Sequence, residues 1–160
     1  MDEIVKMATA DDIEDLIKAR FAYFEAEKWD VTNEQRVEIT SNLRRYFSKQ
    51  INNDFFAALV KKDDEIVSVA FLAISEIPAN LSSPTGKTGV ILNVLSYPNH
   101  RKKGYATCTM CALIEEAKRQ NLSYMTLSSS ESGKRLYQKL GFCTAEPSRR
   151  FTDMKLSLIE

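Results

Sequence analysis

The sequence is poor in the residues on which metal and disulfide proteins depend. Its 160 residues include one histidine, His100, and three cysteines, Cys108, Cys111 and Cys143. A zinc site needs a cluster of His, Cys or carboxylate ligands, and an odd number of cysteines argues against a disulfide framework. No carboxylate stands beside His100 in the sequence to orient it as a base, so a solvated loop histidine is expected. We therefore predict no metal site and reduced thiols.

Excess charge of one sign and long apolar runs are also missing. The 22 Lys and Arg residues balance 22 Asp and Glu residues, which excludes the global positive field of proteins that bind nucleic acid mainly through phosphates. No apolar run approaches the about 20 residues of a membrane span, and residues 1–6 are too acidic for a signal peptide. We expect a cytoplasmic protein with one domain over residues 1–160 and neither a nucleic-acid nor a membrane partner. A homodimer is left open.

A basic turn with one glycine stands between a strand-like and a helix-like segment. Residues 90–96 are apolar and predict a strand, whereas residues 107–119 repeat at helical spacing. Between them the sequence reads Arg-Lys-Lys-Gly-Tyr-Ala from Arg101 to Ala106. Unpaired amides at a helix N-terminus favour phosphate or pyrophosphate there. The turn lacks Gly-Lys-Ser/Thr and has a single glycine, so it is neither a Walker loop nor a dinucleotide fingerprint.

Two segments carry a family resemblance. The turn resembles the Arg/Gln-x-x-Gly-x-Gly/Ala motif with which the GCN5-related N-acetyltransferases (GNAT superfamily) hold the pyrophosphate of acetyl-CoA. Residues 136–142 read Leu-Tyr-Gln-Lys-Leu-Gly-Phe and resemble the Leu-Tyr-x-x-Leu-Gly-Phe segment of the same superfamily. The helix–strand–helix spacing between the two motifs also fits. The element order resembles the superfamily's over nearly the whole chain, and the specific signal covers residues 93–142.

The resemblance implies an α/β (α+β) fold of the GNAT type. Its sheet is mixed and mostly antiparallel, with six to seven strands and about four flanking helices, and the fourth and fifth strands splay apart. The local patterns agree with this order. Capped helix starts at Thr9 and Thr32 are predicted, then a hairpin of strands 55–60 and 66–74, a loop over 78–88, a helix over 131–140 and one or two strands from residue 142.

The resemblance also implies where acetyl-CoA binds. The thioester arm would lie in the gap between the splayed strands and pair with the main chain of Val94, Leu95 and Ser96. Ser130 stands where many relatives carry an asparagine, although capping of the last helix is its expected role, and Lys134 would lie near the phosphates. The basic turn and the start of the next helix would hold the pyrophosphate, through Arg101, Lys102, Lys103, Gly104, Tyr105, Ala106 and Thr107.

Tyr137 is the predicted general acid. A phenol, with an ordinary pKa of ~10, is close enough to a thiol at ~8.5 to protonate the departing thiolate of CoA. Many relatives place a glutamate base on the fourth or fifth strand, but the matching stretches here are Ile-Leu-Asn at 91–93 and Met-Thr-Leu at 125–127. No base is identified, and Asn93 is predicted to orient a water or to contact the acceptor.

The acceptor is expected near residues 21–47, which are rich in aromatic and acidic side chains. Helical spacing assigns Phe21, Phe24 and Phe47 to the core, which leaves Tyr23 and Trp29 as candidate walls of an acceptor cleft. Two functions stay open at this stage. One is an N-acetyltransferase that acts on a primary amine of a small molecule or peptide, and the other is a non-catalytic acyl-CoA-binding or sensing module of the same fold.

Overall fold

The computed structural model describes residues 5–147 and 150–159. The chain divides into two compact units, Met1–Ser128 and Ser129–Glu160. The first unit contains five strands and three α-helices, and the second contains one α-helix. In chain order the elements are β1 (Val5–Met7), α1 (Ile13–Ala26), α2 (Asn33–Gln50), β2 (Phe55–Lys62), β3 (Glu65–Glu76), β4 (Lys87–Ser96), α3 (Tyr105–Arg119), β5 (Tyr124–Thr126) and α4 (Lys134–Lys139).

Both predicted helix caps are present. The Thr9 amide donates to Asp12 Oδ2 at 2.8 Å at the short 3-10 turn that leads into α1. At the start of α2, the Thr32 amide donates to Gln35 Oε1 at 3.0 Å and the Gln35 amide donates to Thr32 Oγ1 at 3.1 Å. These reciprocal bonds satisfy amides that the helix ladder cannot reach, so the two helix starts are encoded locally.

The strands form one mixed, mostly antiparallel sheet in the order β1-β2-β3-β4-β5. The pairs β1–β2, β2–β3 and β3–β4 are antiparallel, and β5 joins β4 in parallel. The predicted hairpin is confirmed as β2 and β3, which pair from Phe55 opposite Ala73 to Lys62 opposite Glu65. Asp63 and Asp64 form its turn with positive φ angles, a conformation that aspartate tolerates better than most residues.

The predicted strand count of six to seven was wrong, because the described residues form five strands. No strand occurs from Phe142 onward within residues 142–147 and 150–159. The sequence there suggests a strand because Met154, Leu156 and Leu158 alternate with polar residues. In the structure those three side chains are 82–92% exposed, so no burial stabilises the alternation. The last helix is also shorter than the predicted 131–140.

Two layers of side chains cover the sheet. On one face, α1 and α2 pack on β2 and β3, and the rings of Phe47 and Phe71 lie 4.9 and 5.1 Å from that of Phe55. Alternate residues point the other way, and Val60 packs with Tyr105 of α3. The predicted shared core of the first two helices is confirmed, and α1 is held against the sheet beside β4.

Candidate functional site

Strand β4 loses its neighbour on one side halfway along its length. Its parallel pairing with β5 runs from Thr88 to Val90 and stops there. From Ile91 to Ser96, no other strand in the described part of the chain pairs with this edge. The predicted thioester positions, Val94 to Ser96, lie within this stretch. Main-chain N–H and C=O groups on an unpaired edge can bond an extended ligand as a further strand would.

A bulge interrupts β4 within this stretch. The antiparallel pairing with β3 shifts between Val69, which faces Leu95, and Phe71, which faces Leu92. Asn93 lies in the bulge with a φ of 56°, in the left-handed region that asparagine enters more readily than most residues. A bulge bends its strand and increases the local twist, so β4 changes course within the stretch that no longer pairs with β5.

The Asn93 side chain fastens the bulge to α1. It is 2% exposed, and its Nδ2 donates to the carbonyl oxygen of Ala19 at 3.2 Å. Its Oδ1 accepts from Nη1 of Arg20 at 3.3 Å. Both ends of the amide are therefore engaged with α1, and the role of Asn93 toward water or an acceptor stays a prediction.

The basic turn is exposed and directly precedes the first amides of α3. Lys102 and Gly104 have φ angles of 60° and 80°, and residues 101–104 are all exposed. The first bond of the α3 ladder runs from the Cys108 amide to the Gly104 carbonyl at 3.1 Å, so the amides of residues 105–107 precede the ladder. A β-carbon at Gly104 would meet no protein atom within 4 Å. The approach to these amides is open.

Two residues of the predicted phosphate site also have structural roles. Arg101 Nε donates to the carbonyl oxygen of Ser96 at 3.2 Å and joins the turn to the end of β4. The Tyr105 side chain is 6% exposed and packs with Val60 and Val67, so only its main chain faces the turn. Lys102, Lys103 and Thr107 remain exposed, and Ala106 is half-buried.

His100 was wrongly expected to be a solvated loop residue. It is half-buried, and in the described residues its Nδ1 has no hydrogen-bond partner. The ring lines a cavity of about 460 Å³ with Asp15, Lys18 and Tyr97. His100 does lie in the predicted loop between β4 and α3, but the cavity that it lines is shared with Asp15 and Lys18 of α1, which are distant in sequence.

The second unit holds the residues Ser130, Lys134 and Tyr137, which the sequence predicts for cofactor binding and catalysis. Tyr137 lies in α4, half-buried, with its ring centroid 6.1 Å from that of Phe142 in an edge-to-face arrangement. Ser130 Oγ accepts from the Gly133 amide at 3.2 Å and closes the turn before α4. Lys134 is exposed in the first turn of α4. The roles of these three residues toward acetyl-CoA stay predictions.

The predicted acceptor residues lie together at the end of α1. The Trp29 ring lies 6.0 Å from that of Tyr23 and 5.6 Å from that of Phe24, and the Trp29 side chain is 56% exposed. Burial raises the pKa of the Tyr23 phenol, and the charge of Glu27 acts in the same direction. Trp29 also lines a groove of about 270 Å³ with Phe21, Phe24, Glu25, Lys28, Asp30, Val31 and Arg36.

Arg20 was missed by the sequence analysis. Its guanidinium carbon lies 4.8 Å from the ring centroid of Phe24, which lies one turn further along α1. Its Nη1 donates to Oδ1 of Asn93 on β4. The i, i+4 spacing of Arg20 and Phe24 was the available signal. A contact with a strand residue 73 positions along the chain has no counterpart in local sequence.

The described residues contain neither a metal-ligand cluster nor a helix suited to span a membrane. Within the described residues, no group of three or more His, Cys, Asp or Glu side chains is placed to hold a metal ion. Among the helices of the same residues, none has both the length and the apolar content to cross a membrane.

Comparisons with known proteins bear on the whole chain. The profile of the acetyltransferase (GNAT) family matches residues 12–142. A predicted acetyltransferase from Clostridium acetobutylicum, crystallised with acetyl-CoA, is 26% identical, with a TM-score of 0.78 and 94% of each chain covered. A GCN5-related N-acetyltransferase from Ralstonia eutropha JMP134 is 21% identical, with a TM-score of 0.75 over 94% of this chain and 97% of that one.

A third solved structure is a ribosomal-protein-alanine N-acetyltransferase from Brucella melitensis biovar Abortus 2308. It is 15% identical, with a TM-score of 0.66 over 95% of this chain and 99% of that one. Likenesses at this level of identity concern the fold. No curated protein matches the sequence.

Proposed function

The chain belongs to the acetyltransferase (GNAT) family, and from this premise we propose that it transfers the acetyl group of acetyl-CoA to a primary amine of a small molecule or peptide. Members of the family generally carry out acetyl transfer from acetyl-CoA, and a 26% identical structure contains that thioester. The proposal treats residues 1–160 as one catalytic domain that works in the cytoplasm.

The observation that carries the proposal is that the unpaired edge of β4 leads along the chain into the basic turn. The edge of β4 is unpaired from Ile91 to Ser96, and the chain then runs directly into the open turn at Gly104. Acetyl-CoA needs both features in this order, because its extended pantetheine arm and its pyrophosphate are consecutive parts of one molecule. Val94, Leu95 and Ser96 would pair with the arm, and the amides of residues 105–107 would hold the pyrophosphate.

The residues near the turn would add charge and shape. Arg101, Lys102 and Lys103 are exposed around the open approach to the amides, so they would attract the phosphates without being buried. By resemblance to the family, we propose Ser130 and Lys134 as further cofactor-binding residues. No metal takes part in this scheme.

The proposed reaction is a direct acyl transfer. The neutral amine attacks the thioester carbonyl carbon, a C–N bond forms, and the C–S bond then breaks. Tyr137 would donate its phenolic proton to the leaving thiolate, while the proton lost by the amine passes to solvent. Asn93 and Arg20, which join β4 to α1, would lie on the acceptor side, and Tyr23 and Trp29 would form a wall for the acceptor.

Thiol release tests the proposal. The purified protein and acetyl-CoA are mixed with a panel of primary amines and N-terminal peptides, and free CoA is measured with a thiol reagent. We expect release that depends on both the protein and the amine, and mass spectrometry should find the acetylated product. Calorimetric binding of acetyl-CoA without thiol release from any amine or peptide would contradict acetyl transfer and leave only binding.

A further inference from the structure

The Arg20 side chain is a half-buried cation without an anion. No Asp or Glu among residues 5–147 and 150–159 lies within 4 Å of its guanidinium nitrogens. In the same part of the chain, its bond to Asn93 is the one hydrogen bond that the guanidinium makes. A guanidinium has five N–H donors, so most of them have no protein acceptor.

The other buried charges among the described residues, Asp12 and Glu116, each have a partner of opposite sign. Asp12 accepts from Lys61 at 2.8 Å, and Glu116 accepts from Arg119 at 2.6 Å. Removing an ion from water is unfavourable unless it is paired and hydrogen-bonded. Burial also lowers the pKa of the Arg20 guanidinium, which the Tyr23 phenol partly offsets. Arg20 is therefore a desolvated cation that an anionic ligand would stabilise.

The guanidinium is held in a fixed place. Its carbon lies 4.8 Å from the centre of the Phe24 ring, and the Asn93 amide, itself bonded to Ala19, accepts from one end. A side chain that is already ordered loses little entropy when it binds a ligand. Its planar fork matches a carboxylate or a phosphate.

The position of Arg20 points to the acceptor. Asn93 immediately precedes Val94, Leu95 and Ser96, the proposed contacts of the thioester arm, and Tyr23 lies three residues after Arg20 on the same side of α1. An anion on Arg20 would also reach the Tyr23 hydroxyl as a second donor. The phosphates of acetyl-CoA belong at the Gly104 turn, at the far end of this stretch of β4.

We propose that Arg20, supported by Asn93 and Tyr23, binds an anionic group on the acceptor, so that the natural acceptor is an amine that also carries a carboxylate or a phosphate. This inference rests on the proposed acetyl transfer. It narrows the acceptor from primary amines in general to anionic amines, and it gives Arg20 a role in specificity.

Matched amines test the inference. Thiol release from acetyl-CoA is measured with 4-aminobutanoate, 2-aminoethyl phosphate and butylamine, for wild type, Arg20→Gln, Arg20→Lys and the control Lys118→Gln. Lys118 pairs with exposed Glu115 on α3, and the Lys118→Gln substitution removes one positive charge, as Arg20→Gln does. Calorimetry gives the Kd of acetyl-CoA for each variant, and the Nε–Hε NMR signal of Arg20 reports binding of the same three amines without turnover.

We expect at least one anionic amine to have a kcat/KM roughly 10- to 100-fold above that of butylamine, the range of a charge-assisted pair. Arg20→Gln should abolish this preference, Arg20→Lys should keep part of it, and Lys118→Gln should keep all of it, with the Kd of acetyl-CoA unchanged throughout. The Arg20 Nε signal should shift with the preferred anionic amine and not with butylamine. Comparison of 4-aminobutanoate with 2-aminoethyl phosphate identifies whether a carboxylate or a phosphate is preferred.

Two kinetic results would overturn the inference: wild type shows no preference for anionic amines, or the preference survives in Arg20→Gln. A loss of acetyl-CoA affinity in Arg20→Gln would also overturn it, because Arg20 would then bind the cofactor and not the acceptor. Failure of the proposed function has a different signature. Thiol release would then be absent for every amine, while the Arg20 Nε signal would still report whether the anion binds. If Arg20→Gln does not fold, Arg20→Lys and the NMR titration of wild type decide.

Discussion

The Asn93 side chain donates a hydrogen bond to the Ala19 carbonyl oxygen at 3.2 Å, and this bond joins the interior of α1 to the bulge of β4. The bulge lies three residues beyond Val90, where the pairing of β4 with its parallel partner ends. One buried amide therefore sets the spacing between the helix that carries Arg20 and Tyr23 and the strand edge proposed for the thioester. Movement of either element would change the separation of acceptor and acetyl donor.

Asn93→Ala should lower the free energy of unfolding by about 2–4 kcal/mol. The change removes both hydrogen bonds of a 2% exposed side chain, at about 1–3 kcal/mol. It also places alanine, which lacks the polar side chain that helps asparagine tolerate the left-handed region, at a φ of 56°, at about 1–2 kcal/mol. Urea unfolding measures the loss. Asn93→Gly removes the bonds without the backbone strain, so it should be about 1 kcal/mol less destabilising than alanine; equal stability of all three proteins would contradict the anchoring role.

Much of the fold follows from local sequence signals. The two caps, the hairpin and the basic turn each depend on residues a few positions apart, and all four were predicted correctly. The error after Phe142 has the same origin, since alternation at Met154 and Leu156 is a local pattern and only tertiary burial turns such a pattern into a strand. A strand count cannot be read from segments whose apolar faces remain exposed.

Long-range contacts of the candidate site could not be predicted in this way. The bond between Arg20 and Asn93 joins residues 73 apart, and the cavity that His100 lines is shared with Asp15 and Lys18 of α1, which are distant in sequence. The motif at Gly104 was recognisable because the amides of a helix start and their glycine are contiguous. Contiguous residues therefore support the proposed donor site, whereas the acceptor region stays a prediction.

Gly104→Ala should weaken acetyl-CoA binding at least tenfold while costing about 1–2 kcal/mol of stability. The φ of 80° is strained for alanine, and the new methyl group would occupy the open approach to the amides of residues 105–107. Gly104→Val should abolish detectable binding for the same reason. Isothermal titration with acetyl-CoA measures the affinity.

Gly141→Ala is the matched control for the turn. Gly141 also has a positive φ, 99°, and open space around its missing β-carbon, but it lies at the end of α4. The Gly141→Ala protein should lose about as much stability as Gly104→Ala and should bind acetyl-CoA with the affinity of wild type. Unchanged affinity in a folded Gly104→Val protein would remove the basis of the phosphate assignment.

Asp12 should make the protein less stable in acid. Burial opposes ionisation of Asp12, but hydrogen bonds from Lys61, the Thr9 amide and Lys6 outweigh it and lower the pKa from 3.8 to about 2. A lowered folded-state pKa stabilises the fold above the unfolded value, and this contribution is lost as pH falls from 3.8 toward 2. The loss should be on the order of 2 kcal/mol.

Urea unfolding at a series of pH values checks this, with Asp12→Asn for comparison. The stability difference between wild type and Asp12→Asn should shrink by about that amount as the pH is lowered through this range. Asp11→Asn removes an exposed carboxylate of the same turn and controls for net charge. A difference that is independent of pH would show that the Asp12 carboxylate does not supply the stability.

Tyr137→Phe should lower kcat by roughly 10- to 1,000-fold, as expected for loss of one general acid, with little change in the Kd of acetyl-CoA. The substitution removes only the hydroxyl and keeps the edge-to-face contact with Phe142. Steady-state thiol release and calorimetry measure the two quantities. Phe142→Leu disturbs the same contact and leaves the hydroxyl, so it separates packing from proton donation. Full activity in Tyr137→Phe would remove Tyr137 from the proposed mechanism.

Trp29→Ala should raise the KM for the amine roughly three- to tenfold and leave the Kd of acetyl-CoA unchanged. Trp29 is 56% exposed and contacts Tyr23 and Phe24 through its ring, so its loss removes a wall of the groove while exposing little of the core. Trp29→Phe keeps an aromatic surface and should recover most of the affinity. The measurement is the KM of the best amine of the panel at saturating acetyl-CoA. Identical acceptor kinetics in wild type and Trp29→Ala would place the acceptor elsewhere, with the loop over residues 78–88 as the next segment to mutate.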